Sequence, residues 1–495
     1  MQTPESPALA ASKNNALDPI FVDLDGTLIC TDTLFELFVR ILKHRPLSLL
    51  SLPFCGGIAA LKHKMTALGA RYLNHVPVNE KLLDYLREKK ALGHRIFVIT
   101  ACEESLAKKI VATAETQGAI ALFDGVFGTK GSLNLKGTAK TDFIEKTLGF
   151  QHYEYAGNAR CDMPVWERSS KAIVVNAPAA LARRATRRFR EKGVDVIILK
   201  SGSFLGNFFK AIRIHQIAKN FLIFVPLFVG HLYGDLASIG LSVLAFAAFS
   251  FCSLGTYLFN DLLDLEADRA HAHKRRRPLA AGRLSIAFAL VAIPAMLLFS
   301  LVLGFIANPG GGLIAILACY IVLTLSYSFY LKRLVVVDVI ALAVLYMLRI
   351  FAGAVALDIR ISPWLLGFAL FAFFSLGMLK RFVEVREAAT EALAGRGYVK
   401  SDTQVLLSVG VAAGMIAVLV YVIYIALEAF RYYQRADYLY YTTVIFIYFF
   451  TKIWVMAMRG AVHHDPVVYA LKTKENYFLG LLFVCFFLLA QPLAP

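Results

Sequence analysis

Two short stretches carry side chains spaced for phosphate chemistry. The first is "DLDGTL", where Asp23 and Asp25 are separated by one residue. In an extended segment alternate side chains share a side, so the two carboxylates are neighbours. Such a pair suits Mg²⁺ binding, with one oxygen attacking phosphorus and the other group handling a proton. The second is "NDLLDLEAD", with Asn260, Asp261, Asp264 and Asp268 in the pattern NDxxDxxxD. Steps of three and four place the three aspartates on one helical face. Carboxylates so crowded require a cation, and Mg²⁺ commonly joins carboxylates to substrate phosphates. Lys274, Arg275, Arg276 and Arg277 follow directly, a donor set suited to phosphate oxygens. Acid beside base is the composition of a Mg²⁺–diphosphate site. The alternative is a solvated, charge-balanced loop whose arginines only mark topology.

The elements that must position these groups are of two kinds. The chain has 495 residues, 58% hydrophobic and 18% charged, with a net charge of +17 and a mean hydropathy of +0.60. These values exclude an ordinary soluble enzyme, a disordered chain and a disulfide scaffold. Residues 1–200 hold 28 Lys/Arg and 20 Asp/Glu, whereas the 295 residues after them hold 24 and 15. A normally charged segment therefore precedes a very apolar one. Both are basic, which fits an anionic membrane surface or phosphorylated substrates; no nucleic-acid partner is expected. The seven cysteines are scattered, with no zinc-like cluster. The polar start, residues 1–18, has no apolar signal core, so the first segment is expected in the cytosol.

"IFVDL", "HRIFVITA" (94–101) and "KAIVVNA" (171–177) read as buried strands alternating with helices, an α/β fold with a parallel sheet. Residues 47–61 read as a helical cap touching the membrane or, equally, a buried hairpin. The Arg-rich stretch 183–192 reads as a linker helix on lipid or an ordinary solvated helix, within a basic linker spanning 179–204. From 205 onward an all-α bundle is expected. Its nine apolar runs fall at 206–230, 236–258, 285–304, 311–328, 334–355, 363–379, 404–427, 438–456 and 477–492. Loops after the even-numbered runs carry 16 Lys/Arg and those after the odd-numbered runs carry 3. By the positive-inside rule the N-terminal segment and the even loops are cytoplasmic. On that side lie Tyr327, Tyr330, Lys332, Arg333, Lys380, Arg381, Glu384, Glu387, Asp465 and Lys472. Arg349, deep in the fifth run, is a functional cation or the partner of an acid.

These motifs carry resemblances. DxDGT, Thr100 closing "FVIT", Lys140 in "KGTAKTDF" and "YAGNARCDMPVW" with Asp162 resemble the haloacid-dehalogenase phosphatases over residues 19–178. The resemblance implies a nucleophile at Asp23, an acid/base at Asp25, phosphate binding at Thr100 and Lys140, and Mg²⁺ at Asp23, Asp25 and Asp162. The family's last motif begins Gly-Asp, but here it is Gly157-Asn158. That leaves either a phosphatase in which Asp162 compensates or a degenerate scaffold.

NDxxDxxxD on nine runs resembles the UbiA superfamily of intramembrane prenyltransferases over about 205–495. "IRIHQIAKNFLIF" adds Arg213, His215, Gln216, Lys219 and Asn220 in that family's first-helix pattern. The family's second acidic motif, DxxxD after run 6, is replaced by Lys380, Arg381 and Glu384. "HAHKRRRP" and "HDPVVYALK" resemble the polyprenyl-phosphate phosphoribosyltransferase branch. The resemblance implies transfer from phosphoribosyl diphosphate to a polyprenyl phosphate. Mg²⁺ would be held by Asp261, Asp264 and Asp268. The substrates would be held among Lys219, Asn220, Asn260, Lys274, Arg275, Arg277, Tyr327, Lys332, Arg349, Lys380, Arg381 and Glu384. The N-terminal domain would then remove the 5-phosphate. A conventional prenyltransferase acting on an aromatic or lipid acceptor is the rival, and a non-catalytic scaffold or transporter a more distant one. The sequence carries no signal for oligomeric state.

Overall fold

The computed structural model of the chain describes residues 17–118, 121–130, 134–199, 204–271, 273–388, 390–393, 395–462, 469–470 and 473–491. Most of the expected polar tail and the Asp465–Lys472 segment, Tyr469 and Ala470 excepted, lie outside the described residues. Two compact units are present: Met1–Ile212 with Leu258–Ala292, and Arg213–Tyr257 with Ile293–Pro495.

The first unit is built on a parallel six-stranded sheet. Its strands are β1 (Ile20–Val22), β2 (Ile96–Glu103), β3 (Gly125–Thr129), β4 (Glu154–Gly157), β5 (Lys171–Val175) and β6 (Asp195–Leu199), in spatial order β3-β2-β1-β4-β5-β6. β1 and most of β2 are buried on both faces, which is why they read as unbroken apolar runs. One face carries a core around Val22, Ile41, Leu86 and Val98. The other is built from Phe21, Tyr155, Trp166 and Phe189. β1 is flanked by β2 and β4, where the strand order reverses. Ligands of open α/β sheets bind beyond the carboxyl ends of strands at such a reversal, and Asp23 is the next residue after β1.

Between β1 and β2 run α1 (Thr33–His44), a 3-10 turn (Pro46–Ser51), α2 (Ile58–Gly69) and α3 (Glu80–Ala91). Residues 47–61 are therefore helical and turn-like rather than a hairpin, and Leu47, Leu50 and Phe54 are exposed. α4 (Glu104–Gly118), α5 (Thr138–Asp142) and α6 (Met163–Trp166) complete the crossovers before β5.

Residues 179–199 are not a linker. They form α7 (Ala179–Arg190) and β6, which pairs with β5 from Lys171↔Asp195 to Val175↔Leu199. α7 buries Leu181, Ala182, Ala185 and Phe189, a helical spacing that the flanking arginines obscure. Phe189 meets Trp166 edge-on at 6.3 Å between centroids. α8 (Phe204–Ala211), the last turns of α10 (Leu236–Leu263), and α11 (Leu265–Ala270) also belong to this unit.

The second unit is helical. Besides α10 it holds most of α12 (Ile286–Ala307), α13 (Gly312–Phe329), α14 (Val337–Ala356), α15 (Pro363–Arg386), α16 (Thr403–Leu427) and α17 (Leu439–Met458). Among the described residues seven helices are long and apolar enough to cross a membrane, so the expected nine is not reached. The first expected span is broken into a 3-10 stretch (Ile214–Phe224) and the short α9 (Val225–Val229). Arg213 before it has left-handed backbone (φ 51°), and Pro226 lies in the first turn of α9. The ninth, α18 (Lys474–Leu489), has 16 residues, short of the roughly 20 needed to span.

If α7 is part of the fold, Phe189→Ala should destabilise the first unit by about 3–5 kcal/mol. Arg184→Ala, on the exposed face, should change it little. Urea-dependent proteolysis of the full chain in detergent distinguishes the two; a linker would make them alike.

Candidate functional site

In the first unit the turn after β1 gathers the expected groups. Lys140, on α5 and almost fully buried, donates to Asp23 Oδ1 at 2.7 Å and to the Tyr155 hydroxyl at 2.8 Å. Tyr155 in turn donates to Asp162 Oδ1 at 2.9 Å. Burial works against the charge on Lys140, but Asp23 and Asp162 outweigh it and hold the ammonium above the usual lysine range. Asp25 Oδ1 accepts from the backbone N–H of Thr33 at 2.8 Å, and its Oδ2 accepts from the Thr33 hydroxyl at 3.2 Å. The first turn of α1 therefore fixes the second carboxylate. Thr100, buried at β2, accepts the Cys102 N–H at 3.1 Å.

Asp162 is placed differently from expectation. It is fully buried, and its Oδ2 accepts the N–H groups of Asn158 and Ala159 at 3.0 and 2.9 Å. Both its oxygens are engaged in shaping the turn after β4. Asn158 stands against Gly26, the residue after Asp25. Its amide lies where a Cβ on Gly26 would be, at 1.9 Å, and Gly26 has φ +72°. Only glycine allows that approach. Burial pushes Asp23 up to about 6, and burial with the charges of Asp32 and Asp23 pushes Asp25 up to about 7. Two carboxyls whose charge is suppressed by burial and by neighbouring aspartates are a setting that a divalent cation relieves.

The second cluster ends α10. Asn260 and Asp261 lie in its last turn; Asp264 follows it and Asp268 lies in α11. Helical bonding continues across the join, with Asp264 N–H to Asn260 O at 2.9 Å and Asp268 N–H to Asp264 O at 2.8 Å. Asp261 and Asp268, seven residues apart, converge on one cation. Arg277 Nη1 donates to Asp261 Oδ1 at 3.2 Å and to Asp268 Oδ2 at 2.7 Å. A guanidinium thus neutralises two of the three carboxylates. Among the described residues no three His, Cys, Asp or Glu side chains gather tightly enough to cage an ion unaided. The donor set suits an ion that shares its shell with water and phosphate. Burial raises the Asp268 carboxyl above its usual range, against the pull of Arg277. Lys274 and Arg275 are exposed.

The second unit holds two cation sites. Arg349 donates from Nε to Asn220 Oδ1 at 2.9 Å, and Asn220 donates to Ser250 and Ser253 at 3.0 and 3.2 Å. The guanidinium lies 5.1–5.5 Å from the ring centres of Phe249, Tyr320 and Tyr346. Lys219 approaches the Tyr346 ring at 5.6 Å. An amide oxygen, the Leu345 carbonyl and three aromatic faces hold Arg349.

Arg381 is the second. It is fully buried and donates from Nε to Asp338 at 2.5 Å, from Nη2 to the Tyr327 hydroxyl at 2.7 Å, and from Nη1 to Glu384. Arg396 joins the same acids, 3.3 Å from Glu384 and 3.6 Å from Asp338, and Tyr398 donates to Asp338 at 2.7 Å. The expected phosphate contact at Arg381 is thus replaced by an internal clamp, because each nitrogen already has an acceptor. Tyr327 and Glu384 belong to that clamp. Lys332 and Lys380 are half-buried nearby in sequence. Arg396 and Tyr398 went unnoticed in the sequence, since a loop arginine and a tyrosine there carry no motif.

Residues 223–490 match the model of the UbiA prenyltransferase family. An uncharacterized protein, y4nM of Sinorhizobium fredii, is 34% identical over 482 residues, covering 96% of this chain and 91% of that protein. Nodulation protein NoeC of Azorhizobium caulinodans is 32% identical over 290 residues, covering 56% of this chain and 92% of that protein. Decaprenyl-phosphate phosphoribosyltransferase of Corynebacterium glutamicum is 37% identical over 179 residues, covering 36% of this chain and 54% of that protein. With seven helices able to cross a bilayer and more than half its length matched, the chain is an integral membrane protein and a member of the UbiA prenyltransferase family.

Proposed function

We propose that the chain transfers a 5-phosphoribosyl group from phosphoribosyl diphosphate to a polyprenyl phosphate. We propose further that the α/β unit, read as a haloacid-dehalogenase-type phosphatase, then removes the 5-phosphate. The observation that carries the first step is the Arg381 clamp. Asp338 and Glu384, two acids of that wall, are already paired with Arg381 and Arg396. Neither carboxylate is open to a second metal for a prenyl diphosphate, whereas a cation-rich wall suits a monophosphate. Similarity to the decaprenyl-phosphate phosphoribosyltransferase of Corynebacterium glutamicum supports the same substrates.

In this reading Asp261, Asp264 and Asp268 would hold Mg²⁺, which would supply positive charge to the donor's diphosphate. Asn260 orients that cluster. Arg277 moves its hydrogen bonds from Asp261 and Asp268 to diphosphate oxygens, joined by Lys274 and Arg275. The lipid phosphate oxygen attacks the anomeric carbon, the bond from that carbon to diphosphate breaks, and diphosphate departs with the electron pair. Stabilising that departing charge is the largest contribution expected. Lys219, Lys332 and Lys380 are the cations assigned to the lipid phosphate, with Asn220 and Arg349 positioning the helix that carries Lys219. The loop charges support a cytoplasmic position for these groups.

In the α/β unit Asp23 attacks phosphorus, the bond to the ribose 5-oxygen breaks, and Asp25 gives that oxygen a proton. Water then cleaves the phosphoaspartate and Asp25 recovers a proton. Asp23 and Asp25 would hold Mg²⁺, with Asn158 beside them. Lys140 and Thr100 hold the phosphate oxygens.

The purified chain with Mg²⁺, phosphoribosyl diphosphate and a polyprenyl phosphate should yield a lipid-linked pentose. Asp261→Asn should lower the rate on the order of 100-fold or more. Asp23→Asn should leave transfer intact and stop at the pentose phosphate. Turnover of a polyprenyl diphosphate with an aromatic acceptor, and no lipid-linked pentose, would establish conventional prenyl transfer instead.

Metal and pH should be linked. The raised pKa values of Asp23 and Asp25 give the metal-free unit stability that is complete below about pH 4 and is lost as pH rises through 6 and 7. Mg²⁺ should therefore raise the melting temperature more near pH 8 than near pH 5, and Asp25→Asn should flatten that difference. An Mg²⁺ effect independent of pH would rule out binding at this pair.

A further inference from the structure

Within the first unit, the segment carrying the transferase aspartates is clamped to the turn carrying the phosphatase aspartates. Arg269, the residue after Asp268, makes a two-pronged contact with Glu36 of α1. Nη2 donates to Oε1 at 2.5 Å and Nη1 to Oε2 at 3.0 Å, with the Arg269 side chain 5% and the Glu36 side chain 0% exposed. The same guanidinium donates to the His75 and Ala280 carbonyls at 2.9 and 3.0 Å. Glu36 also accepts from Thr31 at 2.9 Å. One turn further along α1, Arg40 reaches Glu266 at 3.5 Å, and Asn74 donates to that carboxylate at 3.3 Å. The backbone closes in as well. A Cβ on Gly282 (φ +67°) would meet the Cys30 carbonyl at 2.5 Å.

α1 is the connecting part. Its first residue, Thr33, holds both oxygens of Asp25. Three residues on, about 4.5 Å along the axis, Glu36 holds the neighbour of Asp268. A shift of α1 is felt at both carboxylate sites. The network also has a second arrangement available. Arg40 is buried, its Nε and Nη2 have no hydrogen-bond acceptor, and Nη2 lies 3.8 Å from Glu36. Arg40 can take Glu36 when Arg269 leaves.

We propose that Glu36 and Arg269 are positioning residues that keep the two aspartate sites in register, so that the sugar phosphate made at Asp261–Asp268 passes to Asp23 without release. This inference rests on the two-step reading above. Neither residue touches substrate in that reading.

The test uses the full chain in nanodiscs, with Arg269→Gln, Glu36→Gln, the double variant and Arg269→Lys. Lys90→Gln, which breaks the distant Lys90–Asp124 pair, is the control for general loosening. Two quantities are followed: phosphate release from ribose 5-phosphate in solution, and the share of lipid-linked product still carrying its phosphate. Each single variant should leave the soluble reaction within about twofold while the phosphorylated share rises about tenfold. The double should be no worse than the worse single, Arg269→Lys should fall between, and the control should match the parent. An unchanged phosphorylated share, or an equal rise in the control, overturns the inference and leaves the two-step reading standing. Absence of any lipid-linked pentose from the parent chain ends both.

Discussion

A charge withdrawn from water must be met by another, or by a dense set of dipoles, because isolated burial costs several kcal/mol per ion. The described parts of this molecule follow that constraint wherever its functional groups lie. Lys140 sits against Asp23 and Asp162. Arg277 spans Asp261 and Asp268, Arg381 is shared by Asp338 and Glu384, and Arg269 grips Glu36. Each arrangement joins residues remote in sequence or brought round by a loop. The fold supplies the geometry, and the ion pairs fix the register in which the carboxylates are presented.

The pairs divide by exposure. Arg381 is saturated and fully buried, so it organises α13, α14 and α15 around itself. Arg277 is 30% exposed and can exchange partners at little cost, as ion pairs open to water do. A cation that neutralises an acidic cluster while remaining within reach of solvent is suited to give way to a ligand. One that is sealed in is suited to hold helices.

Much of the candidate chemistry was legible because it is local. Asp23 and Asp25 follow a strand, and Asp261, Asp264 and Asp268 run from the last turn of one helix into the next, so spacing alone brings each set into one neighbourhood. What spacing could not supply was partnership across distance. Lys140 meets Asp23 across 117 residues, and Arg269 meets Glu36 across 233. Basic residues at helix ends look the same whether they mark topology, bind phosphate or close an internal clamp, which is why Arg381 was misread and Arg396 missed. α7 was hidden by its own arginines, although Leu181, Ala185 and Phe189 kept the period of a buried face. β3 and β4 lack the apolar runs that mark β1 and β2, and the run 196–199 of β6 was masked by the basic stretch before it.

The 3-10 stretch at Ile214–Phe224 has a geometric consequence of its own. With three residues per turn and about 2.0 Å of rise, eleven residues reach about 22 Å, where an α-helix would reach about 17 Å. Side chains three apart also eclipse rather than spiral. Gln216, Lys219 and Leu222 therefore stand in one straight file, and Ile217, Asn220 and Ile223 in the next. A tightly wound ribbon of this kind presents its amide and its ammonium as a ruled edge, which an α-helix would have wrapped around its circumference.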